Sequence, residues 1–237
     1  MPPFRTYVIG DIHGCDAKAR NLFAACLDFN QDRPHGFVFL GDYVDRGADS
    51  RAVVEWLMAI EAVMPEQVLC LRGNHEDLLV RAARGNPEDE EIWLGAGGDA
   101  TLSSYPAGRA MDIPAAHRKW ISERPLLYRD ERRLYVHAGI VPGVPLNQQP
   151  RHALMWIRDE FLSSDADHGL LVVHGHTPLS DGKPELRRNR LNLDTGAVFG
   201  GPLTCAVFCE TITEPLAFIT DDGTVTLLRE EPVTSEA

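Results

Sequence analysis

The first half of the chain repeats one pattern of hydrophobic and polar positions three times. Each repeat has a short apolar run, then a polar stretch that contains glycine, then apolar residues at helical spacing. The apolar runs, predicted to be strands, begin at Tyr7, Phe37 and Val68. Helices are predicted over 15–29, over 48–64 and from about Leu78. This alternation predicts an α/β fold with successive βα units.

Polar motifs follow the three predicted strands at nearly equal intervals. The motifs are Gly10-Asp11-Ile12-His13-Gly14, Gly41-Asp42-Tyr43-Val44-Asp45-Arg46-Gly47 and Gly73-Asn74-His75-Glu76. Asp11, Asp42 and Asn74 each follow a glycine and lie 31 and 32 residues apart. Ligands of open α/β sheets bind at the carboxyl ends of the strands. We therefore expect one crevice that contains Asp11, His13, Asp42, Asn74 and His75.

The second half returns to strand-like runs. The runs at 134–136 and 170–173 end at His137 and at His174-Gly175-His176. A helix with Trp156 and Arg158 is predicted over 153–162. Short runs that start near Leu191, Leu203, Ala217 and Thr224 are separated by turn residues. This close spacing predicts an antiparallel or mixed sheet.

Residues 85–125 depart from the repeat, with an acidic run at 88–91 followed by glycines and aromatic residues. Two interpretations stay open. The segment is either an insertion over the site that shapes substrate choice or an ordinary helical connection with a glycine turn. No linker interrupts the chain, so we expect a single domain over 1–237, with a frayed tail over 230–237.

Composition limits the partners and the compartment. The chain has 237 residues and a net charge of −12, which argues against nucleic acid because phosphate backbones need a basic surface. Phosphorylated substrates remain compatible, since bound metals reverse the charge locally. No stretch approaches the roughly 20 apolar residues of a membrane span, and the first residues lack a signal-peptide pattern. We expect a cytoplasmic protein without a membrane partner.

The cysteines and histidines point to a metal site without sulfur ligands. The five cysteines have no paired CxxC spacing and are expected to be reduced and mostly buried, with Cys15 the candidate for oxidation. Four of nine histidines follow or end an apolar run and have a glycine within two residues, namely His13, His75, His137 and His176. Together with Asp11, Asp42 and Asn74 they predict a shared metal site. His174 is left out of the ligand set, because it could point either way.

The donor set predicts two divalent ions. Imidazole, carboxylate and amide ligands suit manganese first, with iron or zinc as alternatives. The candidate ligands are too many for one catalytic ion with open positions, so we expect two ions that share a carboxylate. A water that bridges the ions would become a hydroxide nucleophile, and the remaining positive charge would match a phosphate dianion.

The motifs also resemble a known family. The three glycine-flanked motifs, His137-Ala138-Gly139 and Gly175-His176 are similar, in order and spacing, to those of the PPP-type metallophosphatases, over about residues 7–200. The resemblance implies a metallophosphoesterase sandwich of two mixed β-sheets flanked by helices, with a dinuclear metal site at the strand ends. Ser104-Tyr105 and Asp194-Thr195-Gly196-Ala197 further resemble the bacterial and phage phosphatases.

The resemblance implies a role for each motif residue. One metal would be held by Asp11, His13 and Asp42, and the other by Asp42, Asn74, His137 and His176, so that Asp42 bridges. His75 would be the general acid, oriented by Asp45. Arg46 would bind phosphate oxygens, and Arg158 would be a second phosphate ligand, with a surface helix arginine as the alternative. Arg72 is interpreted as structural.

The implied function is hydrolysis of a phosphoester. We expect a protein serine/threonine phosphatase, with phosphotyrosine as an additional substrate. The alternative is a symmetrical dinucleoside polyphosphate hydrolase, although that group tends to have alanine in place of Asp45 and aspartate in place of Glu76. A non-catalytic phosphoprotein-binding relative is less favoured, because none of the motifs is broken. The sequence does not indicate the oligomeric state.

Overall fold

Two mixed β-sheets form the centre of the described part of the chain, residues 4–230, in the computed structural model. The first sheet has the order β11-β10-β9-β1-β2-β3 and the second has the order β4-β5-β6-β8-β7. The strands of the first sheet are β1 (Arg5–Ile9), β2 (His35–Phe39), β3 (Val68–Cys70), β9 (Thr204–Cys209), β10 (Ala217–Thr220) and β11 (Val225–Leu227). Those of the second are β4 (Leu127–Arg129), β5 (Arg133–Val136), β6 (Leu171–His174), β7 (Glu185–Leu186) and β8 (Arg190–Asn192).

Parallel strands in both sheets direct their carboxyl ends to the site. β1, β2 and β3 pair in parallel, and β5, β6 and β8 do the same in the second sheet. β9 pairs antiparallel to β1, so the last strands of the chain extend the first sheet. The mixed character expected from the sequence is therefore confirmed.

Helices occupy the connections. They are α1 (Asp16–Asn30), α2 (Ser50–Val63), α3 (Asn74–Ala82), α4 (Pro87–Trp93), α5 (Asp99–Ser104), α6 (Ala115–Ser122), α7 (Arg151–Trp156) and α8 (Asp159–Leu162). A π-helical turn, Leu94–Gly98, links α4 to α5. None of the helices within residues 4–230 is both long enough and apolar enough to span a membrane.

The alternation of side chains in β1 and β2 explains the layers. Tyr7 and Phe37 pack on one face against α1 and α2, whereas Val8 and Val38 pack on the other against the second sheet. Burial on both faces accounts for the continuous apolar runs of these strands. A third cluster, which includes Phe161, covers the outer face of the second sheet.

Some predicted elements need correction. The helix predicted over 153–162 is two short helices, because Ile157 (ψ 142°) and Arg158 (φ −132°) leave the helical conformation. The third helix begins at Asn74 rather than near Leu78, so the polar motif itself forms its first turn. The strands β4 and β7 were not predicted. Most of the predicted tail, residues 231–237, lies outside the described residues.

Candidate metal centre

The predicted site residues meet where the strands of both sheets end. Asp11, Asp42 and Asn74 follow β1, β2 and β3, while His137 and His176 follow β5 and β6. All of these side chains are buried, as are those of His13 and His75. The crevice expected from the first three strands is thus completed by histidines from the second sheet.

Close backbone approach explains the glycines in the motifs. A Cβ atom at Gly73 would lie 2.2 Å from Asp42 Oδ1, and one at Gly175 would lie 1.9 Å from Asp11 Oδ1. Asp42 itself has a positive φ of 52°. The loops therefore fold tightly enough to place carboxylate oxygens directly against neighbouring backbone.

Glu76 holds two of these loops together. Its carboxylate accepts hydrogen bonds from the backbone N–H groups of Asp42 and Tyr43, both at 2.8 Å, and of Gly73 at 2.9 Å. Burial, with the charge of Asp42, raises the pKa of Glu76 to about 7. Glu76 thus positions the backbone that carries Asp42.

Asp42 lies between histidines from the two sheets. His13 Nδ1 donates to the carbonyl of Val44 at 2.8 Å, and His13 Nε2 lies 3.4 Å from Asp42 Oδ2. His137 Nδ1 donates to the carbonyl of Leu40 at 3.0 Å, and its Nε2 lies 3.3 Å from Asp42 Oδ1. The two carboxylate oxygens of Asp42 therefore face different imidazoles, one from each sheet.

Asn74 lies beside a second group of candidate ligands. Its Oδ1 lies 2.8 Å from His137 Nε2 and 2.9 Å from His176 Nδ1. The ligand atoms of Asp42, His137 and His176 all lie within 4.8 Å of one another. Amide, carboxylate and imidazole donors converge here as they do around a protein-bound divalent ion.

The first group of candidate ligands lies next to Asp11, a buried carboxylate that lacks a partner within residues 4–230 for one of its oxygens. Potential ligand atoms of His13, Asp42 and His75 lie within 4.8 Å of one another, although His75 is the residue expected to act as the general acid. Asp11 lies nearby, and its buried Oδ1 has no hydrogen-bond partner among the described residues. Burial and the charge of Asp194 raise the pKa of Asp11 well above its usual value. A divalent cation would satisfy this oxygen, and the carboxylate and imidazole donors around it are of the kind that bind such an ion.

His75 is held by Asp45. Its Nδ1 lies 2.8 Å from Asp45 Oδ2, and its Nε2 lies 4.0 Å from Asp42 Oδ2. Burial lowers the pKa of His75, but the charge of Asp42 and the hydrogen bond with Asp45 outweigh it, so this pKa lies above its usual value. A protonated imidazole with one nitrogen free can donate a proton.

Residues of the 85–125 segment complete the surroundings of Asp45. Trp93 Nε1 donates to the Asp45 carboxylate at 2.9 Å, and Thr101 Oγ1 donates to it at 2.7 Å. The carbonyl of Gly97 accepts from the backbone N–H of Arg46 at 3.0 Å. Sequence reasoning missed Trp93 and Thr101. The glycine-rich run after the tryptophan was the available signal, because it lets the chain turn against Arg46.

Two exposed arginines lie at the rim. Arg46 Nη1 lies 2.7 Å from His13 Nε2, and Arg158 Nε lies 3.2 Å from His176 Nε2. Neither guanidinium pairs with a carboxylate within residues 4–230. Arg158 lies in the break between α7 and α8 rather than in a helix, and so it can reach the ligands from the second sheet.

The other residues considered from the sequence, His174, Arg72 and Cys15, lie outside the two groups of candidate metal ligands. His174 packs against Phe161 in the outer layer, and burial lowers its pKa to about 3. Arg72 donates to Asp77 at 2.8 Å, in agreement with a structural role. All cysteines are free, and burial raises the pKa of Cys15, which disfavours the oxidation expected there.

Asp194 is a buried carboxylate that sequence reasoning did not place in the site. It follows β8 as Asp11 follows β1, and its Oδ1 accepts from the Gly196 N–H at 3.2 Å. Burial raises the pKa of Asp194 to about 6. Its position after a parallel strand was the signal that could have identified it.

Comparisons with known proteins agree with this geometry. The family model for calcineurin-like phosphoesterases matches residues 4–202. Serine/threonine-protein phosphatase 1 of Salmonella typhimurium is 31% identical, covering 84% of this chain and 90% of that protein. The asymmetrical bis(5'-nucleosyl)-tetraphosphatase PrpE of Bacillus cereus is 29% identical, covering 88% and 93%. A solved cold-active protein tyrosine phosphatase has a TM-score of 0.64 at 16% identity, covering 97% and 81%, which indicates a common fold.

Proposed function

Because this chain belongs to the calcineurin-like phosphoesterase family, we propose that it is a protein serine/threonine phosphatase that also accepts phosphotyrosine. Family membership makes it a hydrolase that acts on phosphoric esters. The named relatives differ in substrate, since one is a protein phosphatase and another a dinucleoside tetraphosphatase. The hydrogen bond between Asp45 and His75 is the observation that supports the phosphatase.

Two sets of ligands would hold the ions. Asp11, His13 and Asp42 form one set, and Asp42, Asn74, His137 and His176 form the other. The separate orientation of the two Asp42 oxygens supports its bridging role. Manganese ions, or iron or zinc, would supply positive charge and an activated water.

His75 would protonate the leaving oxygen. Asp45 accepts the Nδ1–H of His75, which fixes the tautomer and leaves Nε2 on the side of Asp42. Arg46 and Arg158 would bind the phosphate oxygens from opposite sides, since one lies against His13 and the other against His176.

The need for a proton distinguishes the candidate substrates. The alkoxide of serine or threonine is a poor leaving group and requires a proton, whereas a phosphate released from an anhydride does not. Asp45 is buried and accepts hydrogen bonds from Trp93, Thr101 and His75, so it is held in the position where it orients the proton donor His75. This favours a phosphomonoester over a phosphoanhydride.

The 85–125 segment would influence substrate choice through the same contacts. It supplies Trp93 and Thr101 to Asp45, and its Gly97 carbonyl contacts Arg46. We place it with the rest of 1–237 in one catalytic domain.

The alternative function is hydrolysis of a dinucleoside polyphosphate, which the PrpE relative supports at 29% identity. That relative is named as asymmetrical, so the expectation of a symmetrical enzyme does not follow from it. The products would distinguish the two modes, because symmetrical cleavage gives two identical nucleotides and asymmetrical cleavage gives two different ones.

The test compares kcat/KM for a phosphothreonine peptide and for a dinucleoside tetraphosphate in manganese buffer. Preference for the peptide is the expected result. Preference for the dinucleotide would support the alternative while leaving the ligand sets unchanged. Chelator-treated protein is the control, and activity that survives complete metal removal would contradict both functions.

A further inference from the structure

An exposed aromatic ring lies beside the arginine that we propose as a phosphate ligand. Phe199 is 65% exposed, and the Arg46 guanidinium lies 5.5 Å from the centre of its ring. Arg46 in turn contacts His13 at 2.7 Å. One guanidinium therefore separates this ring from the proposed metal ligands.

The loop that presents Phe199 is fixed at several points. Lys18 Nζ donates to the Ala197 carbonyl at 2.9 Å and also to the carbonyl of Gly201. The Phe199 N–H donates to the Gly196 carbonyl at 2.9 Å, and Gly196 has a φ of 72°, which favours glycine. The ring is therefore displayed by a folded turn anchored to α1.

The exposed ring of Phe199 has no role in the packing of the hydrophobic core within residues 4–230. Phe199 belongs to none of the three buried clusters, although the neighbouring Ala197 does. An exposed phenyl ring is unfavourable in water, and the contact with Arg46 covers only part of it. A ring kept at the edge of a phosphate site can instead bury its surface against a substrate.

We propose that Phe199 determines specificity by packing against an aromatic group esterified to the phosphate, as in phosphotyrosine. This inference rests on the proposed phosphatase function and assigns a residue to it. Aromatic rings pair favourably at centroid distances of about 4.5–7 Å. A phosphoryl group bound by Arg46 would lie one guanidinium away from Phe199, so an aromatic ring attached to its ester oxygen would have the exposed Phe199 ring within reach. Serine and threonine esters offer no ring for this contact.

The test measures kcat/KM of the metal-loaded full chain on phosphotyrosine and phosphothreonine peptides with the same flanking sequence. Phe199→Ala is expected to lower the value for phosphotyrosine about tenfold and that for phosphothreonine by no more than about twofold. Phe199→Leu, which retains bulk beside Arg46, should show the same selective loss in a smaller degree. Tyr128→Ala is the matched control, because Tyr128 is an exposed aromatic residue on β4.

Equal losses on both peptides would show that Phe199 only supports Arg46, and would overturn the proposal. Full activity of Phe199→Ala on both peptides would overturn it as well. If kcat/KM is also measured for dinucleoside tetraphosphate, a loss in Phe199→Ala confined to that substrate would indicate that Phe199 contacts a nucleobase, which would contradict the proposal.

Equilibrium binding separates this inference from the proposed function. Phenylphosphonate and methylphosphonate differ by the aromatic ring, and calorimetry measures their affinities without turnover. Wild type should prefer phenylphosphonate, and Phe199→Ala should lose that preference. The same result in a protein that hydrolyses neither peptide would contradict the phosphatase function while supporting the role of Phe199. Equal affinities in wild type would contradict the role itself.

Discussion

At the scale of single residues, the proposed proton donor His75 depends on Asp45 as well as on Asp42, because both carboxylates raise its pKa. Asp45→Asn keeps the size and removes the charge that favours protonated His75. We expect kcat/KM for a phosphothreonine peptide to fall by about 10²–10⁴, the usual contribution of general acid–base catalysis. Hydrolysis of p-nitrophenyl phosphate should change much less, because its leaving group needs little protonation.

The same substitution at exposed Asp49 provides the control, since that side chain lies outside the site. Comparable losses of Asp45→Asn on both substrates would indicate that Asp45 supports the fold of the site rather than proton transfer.

The roles of Asp42 and His75 are separable by metal content. His75→Ala should lose turnover and keep two metal equivalents, whereas Asp42→Ala should lose both ions because its oxygens face both groups. Metal analysis after gel filtration measures this directly. Since His75 also lies within 4.8 Å of the His13 and Asp42 ligand atoms, a loss of one equivalent from His75→Ala would make it a ligand.

At the scale of elements, α5 contributes to the site through Thr101. Its hydroxyl lies 2.9 Å from the Asp45 N–H and donates to the Asp45 carboxylate. Thr101→Val preserves shape and leaves these buried groups with fewer partners, so we expect the free energy of unfolding to fall by about 1–3 kcal/mol. Urea denaturation of Thr101→Val and of the control Thr226→Val, on exposed β11, would measure it. Equal stability of both variants would contradict a structural role for this hydroxyl.

An element was predictable from the sequence when interactions between residues close in sequence define it. The strands β1 and β2 are apolar on both faces, so their sequences alone indicate them. The strands β4 and β7, with 3 and 2 residues, depend on pairing with neighbours that the local sequence does not reveal. The break at Ile157 likewise lies within a segment whose spacing suits a continuous helix.

The candidate site likewise has residues that a local pattern indicates and residues that only long-range packing brings there. Asp11, Asp42 and Asn74 were predictable because each follows a strand after a glycine. Trp93 and Thr101 were not, since they reach Asp45 across 48 and 56 residues of sequence. Such contacts depend on how the helices pack, and no local pattern specifies that.

At the scale of the whole molecule, the two sheets supply different proposed ligands to one site. Asp11, His13, Asp42 and Asn74 extend from the first sheet, and His137 and His176 from the second. Ions bound there would link the sheets, and they would also relieve repulsion between the buried carboxylates of Asp11, Asp42 and Asp194. Metal binding should therefore be coupled to the stability of the entire fold.

Removal of metal tests this coupling. An ion that binds only the folded state stabilises it by about 2.7 kcal/mol at a free concentration of 100 times Kd. We therefore expect the Tm of manganese-loaded wild type to fall by several degrees with a chelator, and to recover when manganese is added back. Asp42→Ala should show a lower initial Tm and almost no response to either treatment, because both groups of ligands lose their shared carboxylate. A chelator response of equal size in Asp42→Ala would place the stabilising ion elsewhere in the protein.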